Sequence, residues 1–219
     1  MRVVSGLIIL MFLLSSPLWS QEPREKDQEF WTGVTGRLHL HKRWRVELEQ
    51  QLRLNQNWSE FKLSFTEAGV RYEITRRLDV KLLYRFTVIG NDFNEQRWSL
   101  DFRYEYDIPD IPLDIIYRLR LQDEKVSYTG QKITQWRNRI GLDYNLTKLV
   151  DPFVEYESFY RFNDKQEFRT DRFTFGLEWK LNKRWDLESF YRLDREKNVE
   201  IPESQYIVGL RLTYTGRVY

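Results

Sequence analysis

Residues 97–106 read RWSLDFRYEY. Taken alternately, the letters separate into Trp98, Leu100, Phe102, Tyr104 and Tyr106 on one side and Arg97, Ser99, Asp101, Arg103 and Glu105 on the other. A period of two is the mark of a β-strand, whose successive side chains point to opposite faces of the sheet. One face is wholly apolar and the other carries charges of both signs. Which of these faces meets water decides the fold.

The same alternation recurs along the chain. Val46, Leu48, Leu52 and Leu54 oppose Arg45, Glu47, Glu49, Gln51 and Arg53, and Leu78, Val80, Leu82, Tyr84 and Phe86 oppose Asp79, Lys81 and Arg85. Leu113, Ile115, Tyr117, Leu119 and Leu121 oppose Asp114, Arg118 and Arg120, and Phe173, Phe175, Leu177 and Trp179 oppose Arg172, Glu178 and Lys180. The strands come in hairpins. GVRYEITRRLDVKLLYRF (69–86), GLDYNLTKLVDPFVEYESFYRF (141–162) and GLEWKLNKRWDLESFYRL (176–193) stack on one another, with 33–54 and 101–121 in the same mould. This is a repeat of about 35 residues, read as strand, tight turn and returning strand. Turns expected near 41–43, 75–77, 107–112, 147–151 and 182–184 alternate with longer polar connections such as QDEKVSYTGQKIT and DREKNVEIPES.

These patterns predict an all-β chain of about ten to twelve strands closed into an up-and-down antiparallel barrel, because two-faced strands this uniform suit one closed sheet better than a sandwich. Eleven strands can be picked out, but parity stays open because single-chain bacterial barrels use even numbers. The segment 30–40 and the polar stretch 24–29, too polar for a lipid-facing strand, are the weakest parts of the assignment.

Composition narrows the function classes. The 219 residues carry 35 Lys+Arg against 33 Asp+Glu, so no single-signed field points to nucleic acid. There is no cysteine, which removes disulfide, thiolate and iron–sulfur chemistry. Aromatic residues make up 16%, unlike a disordered chain, and a mean hydropathy of −0.65 does not suit a bundle of membrane helices. The opening MRVVSGLIILMFLLSSPLWSQEP has a basic start at Arg2, an apolar run and a small residue at Ser20. It reads as a secretory signal over 1–20, with an uncleaved anchor as the alternative. A polar leader over 21–28 and a single barrel domain over 29–219 are expected to follow.

Two barrels fit such strands. A soluble one buries its apolar face, whereas a membrane one turns that face to lipid and encloses the charges. Eight strands already suffice to hold a small ligand, so about eleven apolar inner faces would be excessive for a soluble protein. Apolar-face aromatics also gather at strand ends: Trp44, Tyr72, Tyr104, Tyr106, Tyr144, Trp179, Trp185 and Tyr214 near the short turns, and Trp98, Trp136, Tyr160, Tyr191 and Tyr206 near the longer connections. Two girdles around an aliphatic band are what a bilayer selects. The membrane orientation is therefore expected, with short periplasmic turns, longer extracellular loops, and the soluble periplasmic barrel as the weaker alternative. Asn138, Ser158 and Ser189 then fall outward and Phe159 and Phe190 inward, positions expected to mark bulges or register shifts. Gly33, Gly69, Gly141, Gly176 and Gly209 fall inward, where they permit curvature and leave room for neighbouring arginines. The closing ladder Tyr206, Val208, Leu210, Leu212 and Tyr214 suits an outer-membrane barrel, although Tyr219 lies out of phase with it.

The words Trp31-Thr32-Gly33-Val34, Lys42-Arg43-Trp44, Phe65-Thr66-Glu67-Ala68-Gly69-Val70-Arg71-Tyr72 and Tyr84-Arg85-Phe86 resemble a family of uncharacterised bacterial outer-membrane barrels known as DUF2490. The resemblance implies the barrel fold and the outer membrane, and implies no reaction.

Catalytic chemistry finds little support. His39 and His41 sit at a turn with no serine beside them, and neither G-x-S-x-G nor H-E-x-x-H occurs. Glu47/Glu49 and Glu155/Glu157 each share a strand face, but arginines crowd that face and favour ion pairing over acid–base use. The expected lumen is lined by Arg85, Arg103, Arg118, Arg120, Arg137 and Arg139 with Glu47, Glu49, Glu155 and Glu157, charges of both signs in rough balance. Arg118, Arg120, Arg137 and Arg139 form one basic cluster, an anion-binding spot if not neutralised by loop acids. Trp44, Trp98, Trp136, Trp179, Trp185, Tyr206 and Tyr214 are the expected lipid-interface residues. No cofactor, metal or catalytic residue is assigned. The expectation is a non-enzymatic barrel in the outer membrane of a Gram-negative-type bacterium, structural or a narrow channel for small solutes. A rim-acting hydrolase of lipid or peptide is the alternative. Expected partners are outer-membrane lipid and, during insertion, the barrel-assembly machinery.

Overall fold

The computed structural model describes residues 26–90, 93–127, 129–163 and 166–218, and in it eleven strands close into one barrel. They are β1 Lys26–His41, β2 Trp44–Asn55, β3 Glu60–Glu73, β4 Leu78–Ile89, β5 Phe93–Asp107, β6 Leu113–Val126, β7 Lys132–Tyr144, β8 Val150–Arg161, β9 Glu167–Lys180, β10 Trp185–Glu196 and β11 Ser204–Arg217. The signal expected at 1–20, residues 21–25 of the leader and Tyr219 lie outside the described residues.

Links at 42–43, 74–77, 108–112, 145–149 and 181–184 occupy one end of the barrel, here the turn end, close to where tight turns are expected. Several carry side-chain bonds that fix the turn. The Thr75 Oγ1 accepts the Leu78 amide at 3.0 Å, Thr147 Oγ1 the Val150 amide at 2.9 Å, and Asn182 Oδ1 the Arg184 amide at 2.9 Å. At the loop end the strands are separated by three to seven residues, at 56–59, 90–92, 127–131, 162–166 and 197–203. The polar connections expected as longer loops are drawn in part into the strands. The backbone bonds to its neighbour past the point where the side chains turn hydrophilic.

Neighbouring strands pair antiparallel in ten cases, and β1 closes the sheet by pairing parallel to β11, from Lys26 opposite Ser204 to His39 opposite Arg217. An odd number of up-and-down strands leaves no other way to close, so parity is settled at eleven. The weakly assigned segment 30–40 is a full strand, and β1 begins three residues ahead of the expected domain boundary at 29. Its polar start is accommodated because Glu29 points inward, accepting from Trp31 Nε1 at 2.7 Å and Lys62 Nζ at 2.5 Å.

The two faces sort as the membrane orientation requires. Outward Leu48, Leu82 and Trp98 are 57%, 52% and 55% exposed, while inward Glu157 and Asp101 are 3% and 4% exposed. In residues 97–106 the apolar set is therefore outside and the ionic set enclosed. Of the outward polar exceptions, Asn138 accepts from the Tyr117 hydroxyl at 2.8 Å and Ser189 from Trp179 Nε1 at 3.1 Å. Ser158 stands between Asn138 and Asp171, and Asp171 accepts from the Tyr156 hydroxyl at 3.0 Å and pairs with Lys197.

A register shift between β8 and β9 falls at Phe159/Tyr160, where an irregularity is expected. Phe190 needs none. It turns inward within an unbroken register because its neighbour on β11 is Gly209. Trp31, Gly209, Phe190, Gly176 and Phe153 lie side by side on β1, β11, β10, β9 and β8. A Cβ on Gly209 would sit 2.5 and 2.6 Å from Phe190 Cε atoms, and one on Gly176 would sit 2.6 Å from Phe153 Cε1. These two glycines make room for aromatic rings laid flat on the wall, not for arginines. Trp31, Phe190 and Ile207 form a buried apolar cluster, with Phe153 packed against it. It sits inside the parallel seam, where hydrogen bonding is slightly weaker per residue.

Gly209→Ala should destabilise the barrel by about 1–3 kcal/mol through overpacking. The cost should fall when the same change is made in a Phe190→Ala background. Urea unfolding of the four members of this cycle in detergent micelles measures the coupling.

Candidate functional site

The lumen is built by inward positions of all eleven strands. Acids on one strand meet bases on the same strand, the next or the next-but-one. Glu47 on β2 receives Arg45 at 3.1 Å, Arg71 at 3.3 Å and Lys81 at 2.5 Å. Glu67 on β3 receives Arg85 at 2.7 Å, and Asp79 on β4 receives Arg71 at 3.3 Å and Arg103 at 3.5 Å. Arg120 clamps Asp101 with two bonds of 2.6 and 2.7 Å, and Arg172 clamps Asp194 at 2.8 and 2.6 Å. Such bidentate guanidinium–carboxylate pairs fix orientation as well as charge. Glu157 is the hub: Arg118 lies at 2.5 Å, Arg137 at 2.8 Å and Arg172 at 3.6 Å.

All ten lumen residues picked from the sequence line this space: Arg85, Arg103, Arg118, Arg120, Arg137, Arg139, Glu47, Glu49, Glu155 and Glu157. The basic cluster of Arg118, Arg120, Arg137 and Arg139 is neutralised by Asp101, Glu155 and Glu157, acids of neighbouring strands and not of loops. The enclosed carboxylates Glu47, Glu155 and Glu157 serve as ion-pair partners, while Glu49 has no ion pair among the described residues.

The free space is a cavity of about 650 Å³. Its lining reaches the turn end at Glu73, Thr75 and Arg76, and towards the loop end it includes Trp31, Phe65, Phe159 and Gln135. Sixteen basic and twelve acidic side chains line it, and Asp194 and Glu124, just outside this set, pair with the lining's Arg172 and Arg97. Three of the arginines stand at an aromatic level. Arg85 lies 3.4 Å from the Phe65 ring centroid, Arg137 4.3 Å from Phe159, and Arg53 3.6 Å from Trp31. Each is a cation over an aromatic face.

Trp31 and Phe65 enter the sequence reading only as part of the family resemblance, and no role in the lumen is assigned there to them or to Arg53. The signal was present, because Trp31 shares its parity with Glu29 and Arg37, and Phe65 with Glu67 and Arg71.

The outward aromatics stand where expected. Trp44 packs on Tyr72 at 4.7 Å and Trp185 on Tyr214 at 5.0 Å near the turn end; Trp98 packs on Tyr84 at 4.8 Å and Trp136 on Tyr160 at 5.6 Å further up. Trp179 is outward beside Ser189, and Tyr206 takes the same face as Val208 and Leu210 on β11. At the turn-end rim the carboxylates of Glu105, Asp107 and Asp114 lie within 4.8 Å of one another, and Asp114 also accepts from Asn145 at 2.9 Å. These fall short of the roughly six to eight oxygens that calcium takes.

Glu157→Gln should destabilise the barrel by about 3–5 kcal/mol, because it leaves three enclosed guanidinium groups short of their shared counter-charge. Denaturant unfolding of the wild-type and variant proteins in the same micelles measures the difference.

Comparison with known proteins agrees with this architecture. The family model described as "Protein of unknown function (DUF2490)" matches residues 28–204. No curated protein matches the chain. A solved structure described as "Bacterial polysaccharide outer membrane secretin" is similar at a TM-score of 0.50 and 12% identity, over 76% of this chain and 62% of that one. The chain thus spans less than two thirds of that structure's length. The translocator domain of the autotransporter NalP from Neisseria meningitidis aligns at a TM-score of 0.48 and 12% identity, over 75% of this chain and 71% of that one. At such identities the first likeness is one of fold: a barrel of the outer-membrane type. The chain belongs to the DUF2490 family.

Proposed function

We propose that this DUF2490 barrel resides in the outer membrane of a Gram-negative-type bacterium and admits small solutes to a narrow ionic lumen, without catalysing a reaction. The observation that carries the reading is the cavity of about 650 Å³, enclosed by charged side chains and reaching the turn end. An ionic interior of this kind holds water, and a structural plug would leave none of it free. The lining arginines that lack an ion pair among the described residues, Arg53 and Arg192 among them, favour anions, since charge of one sign selects the opposite ion. The narrowing at Trp31, Phe65 and Phe159 restricts passage to small species. Export by the apolar segment 1–20 fits this location, as does insertion by the barrel-assembly machinery, with outer-membrane lipid covering the outward aliphatic band.

The non-enzymatic part of the reading is supported by the state of the carboxylates. Glu47, Glu155 and Glu157 each touch a cation at 2.8 Å or less, so these carboxylates are engaged as ion-pair partners.

Purified barrel inserted in a planar bilayer should carry small single-channel currents and, across a salt gradient, a reversal potential on the anion-preferring side. Inserted barrels that pass no current, with insertion verified by protease protection, would overturn the channel reading.

A further inference from the structure

Three guanidinium groups surround the indole of Trp31. The Arg53 carbon lies 3.6 Å from the ring centroid, Arg192 at 5.1 Å and Arg172 at 5.7 Å. Their chemistry differs. Arg172 is bound by Asp194 and leans on Glu157. Arg53 donates its Nε to Gln51 Oε1 at 2.8 Å, and Arg192 donates its Nε to Thr174 Oγ1 at 3.0 Å. Among the described residues no carboxylate lies within ion-pair distance of either, and their terminal amino groups make no hydrogen bond to protein. Asp194, the acid nearest Arg192 in sequence on the same face, is already occupied by both forks of Arg172.

Arg53 stands among Arg85, Arg172, Arg97 and Arg192, while Asp194 and Glu155 act on Arg192 from beyond ion-pair distance. Arg37 and Arg76 also line the cavity without an ion pair among the described residues, but Arg53 and Arg192 are the two such arginines that meet over one indole ring. These two line the cavity towards its loop end. The direct cross-strand pairing of Trp31 with Arg53 holds that guanidinium in place before any ligand arrives. Preorganisation of this kind lowers the entropy lost on binding.

We propose that Arg53 and Arg192, mounted on Trp31, form an oxyanion-binding site at the loop-ward end of the cavity, taking the phosphate or carboxylate group of a small solute entering from the turn end. A guanidinium fork matches either group with paired N–H donors, whereas chloride uses none of that geometry. The inference rests on the reading of the lumen as accessible to solutes. It names the chemistry that such solutes carry.

The test is calorimetric titration of the full-length mature barrel, refolded in a neutral detergent, with inorganic phosphate and separately with acetate, at constant ionic strength in chloride. Saturable binding of either oxyanion is expected, and phosphate alone or acetate alone identifies the class. Arg53→Gln and Arg192→Gln should each weaken it about tenfold or more, the scale of a lost charge-assisted hydrogen bond. Should Arg53→Gln fail to fold, Arg192→Gln gives the same reading from the opposite side of the ring. No heat beyond dilution for both oxyanions, or binding unaltered in the folded variants, overturns the proposal. Because the titration needs no bilayer, a barrel that binds phosphate but passes no current refutes the channel alone. One that conducts but binds neither oxyanion refutes the site alone.

Discussion

Ionised side chains can share the inside of a tube this narrow only if they meet opposite charges. Isolated, each would lose several kcal/mol of hydration; paired and hydrogen-bonded, the same groups tie one strand to the next. Here the pairs run from Glu47 on β2 through Asp101 and Arg120 on β5 and β6 to Glu157, Asp194 and Glu188 on β8 and β10. The rest of the structure depends on this enclosed lattice. It allows the apolar face to be given up entirely to the outside, and it leaves the few uncompensated arginines conspicuous.

Closure supplies the second constraint. A sheet in lipid has no water to satisfy an open edge, so its first and last strands must meet. With eleven strands they meet in parallel, and the chain reinforces that seam from within. Ile207 and Trp31 pack beneath it, Phe190 lies across Gly209, and Glu29 bridges to Lys62 above. The same Trp31 that fastens the seam carries Arg53. The parallel seam of the sheet and the unpaired Arg53 thus share one side chain.

Much of this was legible in the amino-acid order. Alternation in residues 97–106 and its repeats located the strands, the turns and the outward face, and the placing of Trp44, Trp98 and Trp185 followed from it. What escaped depends on neighbours far apart in sequence. The parity of the barrel lies in the pairing of Lys26 with Ser204, which no local pattern announces. Residues 26–28 looked like a leader because a polar strand start shows no apolar stripe. Gly209 and Gly176 looked like points of curvature because the rings of Phe190 and Phe153 reach them from adjacent strands. The arginines at 118, 120, 137 and 139 stood out as a cluster by spacing alone. Their neutralisation by Asp101 and Glu157, and the lack of any acid beside Arg53, emerge only when eleven strands are laid side by side.

The account stands on the outward apolar face touching acyl chains while the ionic face stays enclosed. The chain has no cysteine, so single cysteines can be introduced and spin-labelled along β2 to β4 in protein reconstituted into liposomes. Labels at outward sites, introduced by Leu48→Cys, Val70→Cys and Leu82→Cys, should collide readily with oxygen dissolved in the bilayer and poorly with a water-soluble nickel chelate. Labels introduced by Glu49→Cys and Lys81→Cys should show the reverse. The opposite periodicity, with the leucine positions shielded from oxygen and the charged positions open to it, would contradict the account at its root.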